Sequence, residues 1–200
     1  GAPDLPQFRQ RYPQVTVELG LNDRPVDLIE EGWDLALRIR QMPSSALRSR
    51  KLAAIRMVVC GAPAYFEQAG TPRTVDELSQ HQCLGYTLSD VNSSTRWSFG
   101  QKGEKSVAVS GPLCANNGDV LREAAVAGAG IVYQPVFVLS HELRSGSLRA
   151  LTLDYAPLAG PNLHAVYAPG VSTPLKVRAM IDYLAECYGP VPPWEQDLSL

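Results

Sequence analysis

Residues 115–137, ANNGDVLREAAVAGAGIVYQPVF, constrain the fold more than any other stretch, because helix-start, helix-stop, strand and turn signals follow there in a consistent order. Asn116 and Asn117 can accept from the free N–H groups of a helix's first turn, and Asp119 adds negative charge where the macrodipole favours it. Val120, Leu121, Ala124 and Ala125 recur at the spacing of one helix face, and Gly128 with Gly130 supply the positive φ that ends a helix. Ile131, Val132 and Tyr133 are a β-prone run; Pro135 has no N–H for a central ladder, which predicts a turn at Gln134. A helix running into a strand indicates an α/β layer. Its two candidate binding edges are the helix start at Asn116, Asn117 and Gly118 and the strand end at Gln134 and Pro135. Capping is the ordinary role of such asparagines, and the same free N–H groups also bind anions.

Around this unit, 200 residues suffice for one large domain or two small ones. A hydrophobic content of 45%, a charged content of 19% and a net charge of −2 argue against disorder and against a polybasic nucleic-acid surface. Cys60, Cys83, Cys114 and Cys187 are widely spaced in apolar or helical surroundings, which fits reduced thiols and the cytoplasm better than a disulfide scaffold. No apolar run reaches transmembrane length, so no membrane partner is expected, and the first residues carry no secretory signal pattern.

Before this unit, Leu5, Phe8 and Tyr12 predict a short amphipathic helix ended by Pro13, and Val15, Val17 and Leu19 alternate as a strand does. Asp23 caps a next helix that takes Pro25 in its first turn, uses Val26, Leu28 and Ile29 and stops at Gly32; Leu35, Leu37 and Ile39 make another strand. Strands alternating with short helices predict βαβ units and a mostly parallel sheet. Residues 41–51 read as a polar loop, basic at its far end. Residues 52–63 form a long extended run that carries the chain from one sheet to another at its Gly61 and Pro63 end.

Pro63 opens a helix with Tyr65 and Phe66, and Thr74 with Glu77 has capping-box spacing. Residues 83–86 and 96–99 are strand candidates, and Val107 and Val109 continue beyond a turn at 100–104 as an antiparallel excursion. After the organising unit come a helix from Val136 to Ser145 capped by Gly146, a strand over 148–153, a Pro/Gly linker over 154–162 and a strand over 163–167. The last helix opens at Thr173 and Pro174, has a stripe of Val177, Met180, Ile181, Leu184 and Tyr188, and ends at Gly189.

Catalytic signatures are missing. No G-x-S-x-G occurs, and His81, His141 and His164 stand alone, so no catalytic residue is assigned. His81 and Cys83 make two metal ligands where a site needs three or four, and Gly128-Ala129-Gly130 precedes its strand instead of following one. No metal and no cofactor is expected.

Taken in order, LPQFRQRYPQVTVEL from Leu5, DRPVDLIEEGWDLALRIR from Asp23, LRSRKLAAIRMVVCGAPAYFEQAGTP from Leu47, NNGDVLREAAVAGAGIVYQP from Asn116, LHAVYAP from Leu163 and PLKVRAMIDYLAE from Pro174 resemble consecutive blocks of the effector-binding domain of LysR-type transcriptional regulators. The resemblance implies a two-lobed α/β fold similar to type 2 periplasmic binding proteins, with two chain crossovers: residues 1–61 and 162–200 in the first lobe, 62–161 in the second. It implies a small-molecule effector between the lobes and a homodimer, with a tetramer open to the full-length protein. DNA would be read only through an N-terminal winged helix-turn-helix that this chain lacks. The expected effector contacts are Asn116, Asn117, Gly118, Gln134 and Pro135, with Ser44, Ser45 and Ala62 as further walls, and the helix N-terminus favours a carboxylate. A periplasmic solute receptor shares the fold and is the alternative. Two departures stand out. The family's first strand, near the centre of the first sheet, lies before the start of this chain, and Gln134 stands where the family more often has an apolar residue.

Overall fold

In the computed structural model, residues 5–21, 27–39, 47–89, 92–170 and 172–198 are described. Two α/β units make up the chain, Gly1–Ile55 with Pro161–Gln196, and Arg56–Gly160 with Asp197–Leu200. The first unit opens with α1 (Leu5–Arg11), β1 (Ala36–Arg38) and β2 (Arg48–Ala54). The second supplies β3 (Met57–Gly61), α2 (Pro63–Ala69), a 3-10 helix (Asp76–Gln80), β4 (Gly85–Tyr86), β5 (Arg96–Phe99), β6 (Lys105–Ala108) and β7 (Cys114–Ala115). It continues through α3 (Gly118–Val126), β8 (Val132–Pro135), α4 (Val136–Ser145) and β9 (Arg149–Ala150), before β10 (Asn162–Tyr167) and α5 (Leu175–Tyr188) complete the first unit.

In the first unit the sheet order is β1-β10-β2, and both ladders are antiparallel, with Leu37 opposite Ala165 and Ala165 opposite Arg50. This corrects the expected parallel sheet. The predicted strand at 15–19 joins no ladder among the described residues; Val15 and Val17 are half-buried as expected, but Leu19 is exposed. The basic end of the expected loop is also corrected: residues 48–51 belong to β2, because pairing with β10 fixes the backbone while their side chains stay exposed. Asp23, Pro25 and Val26 lie outside the described residues. Gly32 takes the positive φ (72°) expected of a stop, after a turn in which Trp33 N–H donates to Leu28 O. Phe8 on α1 is fully buried, with ring centroids 5.0 Å from Tyr12 and 5.2 Å from Tyr183 on α5. The buried stripe of α5 is Val177, Ile181, Tyr183, Leu184 and Tyr188, so Tyr183 takes the place expected of Met180.

In the second unit β3 is central, flanked by β8 and β9 in antiparallel pairing. The chain therefore passes between units at Ile55 and Arg56, and β3, expected with the first lobe, belongs to the second. β5 and β6 form the expected antiparallel hairpin, with Trp97 opposite Val107. Phe99 stacks on Tyr133 at 4.9 Å, and the Tyr133 hydroxyl donates to Ser98 O and accepts from Leu158 N–H, which ties this hairpin and the linker to β8. Thr74 accepts from Glu77 N–H at 3.4 Å, but the Glu77 carboxylate accepts from Arg73 N–H, so the capping box closes one residue early and the helix is 3-10.

The organising unit folds as helix then strand, with two corrections. Leu121 and Ala125 are the buried face of α3, whereas Val120 is half exposed. Gly128 (φ 85°) and Gly130 (φ 157°) both take the expected positive φ, and Gly130 is also needed for close approach, since a Cβ there would lie 2.4 Å from Gln82 O. Ile131 N–H donates to that same carbonyl at 2.8 Å. The strand then runs through Gln134 to Pro135 without a turn, because β8 is an edge strand, where a missing N–H costs no ladder bond.

Candidate functional site

Asn117 has extended backbone angles (φ −131°, ψ 122°) and its Oδ1 accepts from Asp119 N–H at 2.9 Å and Val120 N–H at 3.1 Å. That side chain satisfies two of the donors that a helix start leaves open and leaves the Gly118 N–H as a further one. Asn116 is exposed and precedes the cap, so of the two asparagines one does the capping. The register of β8 places Gln134 opposite Val58 of β3, and the next ordered contact, Val136 N–H to Arg56 O at 2.8 Å, ties this strand end to the residue where the chain enters the second unit.

Gln134 is the unusual member of the group. It is 3% exposed, and neither its Nε2 nor its Oε1 has a hydrogen-bond partner in the protein. A buried carboxamide left this way costs roughly 1–3 kcal/mol. A Cβ built on Gly118 would stand 3.6 Å from Gln134 Oε1 and 3.6 Å from Val138 Cγ1, so the amide lies against the first turn of α3. Pro135, half-buried, follows directly.

Arg122 braces this corner. Its guanidinium reaches Asp119 at 3.0 Å, Glu123 at 3.0 Å, Glu142 of α4 at 3.5 Å and the carbonyl of Val138 at 3.4 Å. The sequence reading did not single out Arg122; its spacing of three from Asp119 is the signal that points to it. The Asp119 charge, expected to complement the helix dipole, is thus also shared with a cation.

The remaining expected contacts do not join this group. Ser44 and Ser45 lie outside the described residues. Ala62 is buried at the start of α2, four residues beyond Val58, or about 13 Å of strand from the Gln134 pairing. A hollow of ≈ 460 Å³ at the α4–β9 end of this unit is lined by Pro63, Arg144, Arg149 and Leu198 among others and includes none of the predicted residues.

Chemically reactive groups are held in structural roles. Tyr65 hydroxyl accepts from Gln82 N–H at 2.9 Å and shares a hydrogen bond with His81 Nδ1 at 2.9 Å. Burial pushes the Cys60 and Cys83 thiols up to about 12, far from a nucleophilic thiolate. Among the described residues no group of three His, Cys, Asp or Glu could hold a metal ion, and no helix is long and apolar enough to cross a membrane.

Two α/β units linked in this way, each assembled from segments distant in sequence, define the class: a two-lobed binding-domain fold of the periplasmic-binding-protein type. Residues 2–188 match the LysR substrate binding domain, and the chain belongs to that family. It is 36% identical over 187 residues to the probable HTH-type transcriptional regulator LtrA of Klebsiella pneumoniae, covering 92% of this chain and 60% of that one. The regulatory domain of CrgA, a LysR-type transcriptional regulator from Neisseria meningitidis, superposes with a TM-score of 0.78 at 31% identity, covering 92% of this chain and 90% of that one. The full-length virulence activator AphB of Vibrio cholerae gives 0.74 at 28% identity, covering 91% of this chain and 61% of that one. The chain spans about 60% of the length of the curated relatives it matches. These relatives are named as transcriptional regulators, which disfavours both an enzyme and the transport receptor considered from sequence.

Proposed function

We propose that this chain is the effector-binding and dimerisation part of a cytoplasmic LysR-type regulator, and that it holds a small carboxylate at the start of α3. The observation that carries the site is the pairing of a fully buried, unpartnered Gln134 amide with the open first turn capped by Asn117. A carboxylate oxygen at that turn receives the Gly118 N–H and Gln134 Nε2 and meets the positive end of the helix dipole, the arrangement by which helix starts bind anions. Asn116 and Pro135 flank it, and the occupied state is read by a DNA-binding winged helix-turn-helix carried elsewhere in the full-length protein.

Asn117→Asp tests this reading, because aspartate caps as well as asparagine while adding a like charge beside the anion. Carboxylate binding in calorimetric titration should weaken by about 1–3 kcal/mol with the melting temperature little changed. Carboxylates that bind wild type and variant equally would place their site elsewhere.

A further inference from the structure

The Gln134 amide needs more than an anion. A carboxamide presents two N–H donors and one carbonyl acceptor, and here both ends are buried and bare. A plain carboxylate brings acceptors only. It can take the Gly118 N–H and Nε2 but leaves Oε1 facing another acceptor, a buried oxygen without a donor. Arg122 of α3 does not supply it: its terminal nitrogens go to Asp119, Glu123 and Val138 O, and its Nε lies 3.5 Å from Glu142 and makes no hydrogen bond. The donor that completes the site therefore has to arrive with the ligand, and close to the carboxylate, because Oε1 and Nε2 sit on one carbon and Oε1 lies 3.6 Å from where a Gly118 Cβ would be.

We infer that Gln134 selects a carboxylate bearing a hydrogen-bond donor on the adjoining carbon, a 2-hydroxy or 2-amino acid. This rests on the carboxylate site proposed above and assigns the second half of the ligand. The carboxylate meets Gly118 N–H and Gln134 Nε2, and the hydroxyl or amino group donates to Gln134 Oε1. An apolar residue at this position offers neither the donor to the carboxylate nor the acceptor for the hydroxyl or amino group, so Gln134 is the specificity determinant.

Matched pairs read this directly: malate against succinate, and lactate and alanine against propionate, titrated into wild type and Gln134→Leu by calorimetry, with the Gln134 side-chain amide followed by nitrogen-proton NMR. In wild type the donor-bearing acid should bind at least about tenfold tighter than its partner, as expected of a site built to hydrogen-bond a ligand hydroxyl. It should also move the Gln134 amide resonances. Gln134→Leu should equalise each pair, with every acid weakened by the loss of Nε2 and the donor-bearing acids weakened more, and its melting curve shows that it folds. Equal binding within every pair in wild type, a preference that survives Gln134→Leu, tighter binding of propionamide than of lactate, or no binding of any hydroxy or amino acid up to about 10 mM would each overturn the inference. Asn117→Asp separates the two ideas. If it weakens all the acids while wild type ignores the hydroxyl, the site stands and the donor rule fails; if it weakens none of them, the site itself is misplaced.

Discussion

At the scale of single residues, Gln134 trades stability for recognition. Gln134→Leu removes two unmet polar groups from a side chain that is 3% exposed, so the ligand-free protein should gain about 1–3 kcal/mol, read as a higher denaturant midpoint at unchanged slope. A loss of stability would show that the amide is already satisfied. His81 gives a second residue-scale expectation. Burial holds its pKa below 6.5, opposed by the Glu77 charge, with the Tyr65 hydroxyl 2.9 Å from Nδ1. The unfolded chain therefore takes up this proton first as pH falls: the stability His81 contributes is complete above about 6.5 and is lost below it. Unfolding midpoints between pH 7.5 and about 5.5 should fall more steeply for wild type than for His81→Gln, and equal slopes would remove His81 from the account. Sequence placed the cap within the Asn116-Asn117 pair but not on one of them, because both are equally good acceptors and only the extended backbone at Asn117 decides. It flagged Gln134 as polar in an apolar place, while its bare amide follows from neighbours brought together by β3, β8 and α3.

At the scale of elements, helices were legible and pairing was not. α2, α4 and α5 start and end near their Pro and Gly signals, since those signals act through local backbone geometry. Strand partners depend on residues far away: alternation at 15–19 says nothing about whether a neighbour exists, and the exposed Arg and Lys of β2 hide a strand that β10 holds by its backbone. Pro135 misled for the same reason, as only the sheet order shows that β8 is an edge. Gly130 carries the element-scale prediction. With 2.4 Å from a built Cβ to Gln82 O, Gly130→Ala must push the start of β8 away from residues 82–84, losing about 1–3 kcal/mol in a denaturant titration, whereas a loss near zero would mean that this backbone yields freely.

At the scale of the molecule, the two-unit division follows from which segments pair, and the break at Ile55 and Arg56 sits inside what reads as one long extended run. Only the exposed Arg56 interrupts the apolar residues between the end of β2 and the start of β3, and a single charge does not show that the two strands enter different sheets. The proposed assembly is a homodimer with an isologous interface. Phe8 is spent inside its own unit against Tyr183, so α1 must meet a partner through its exposed positions. Sedimentation at micromolar concentration should give twice the chain mass, and a monomer across that range would remove the dimer. The thiols add a practical consequence. Cys60 and Cys83 are buried and poorly ionised, Cys187 is half covered, and Cys114 is exposed three residues before the cap at Asn117. A thiol-reactive dye added in limiting amount should therefore settle on Cys114 and turn the native sequence into an optical sensor whose fluorescence reports occupancy of the neighbouring helix start.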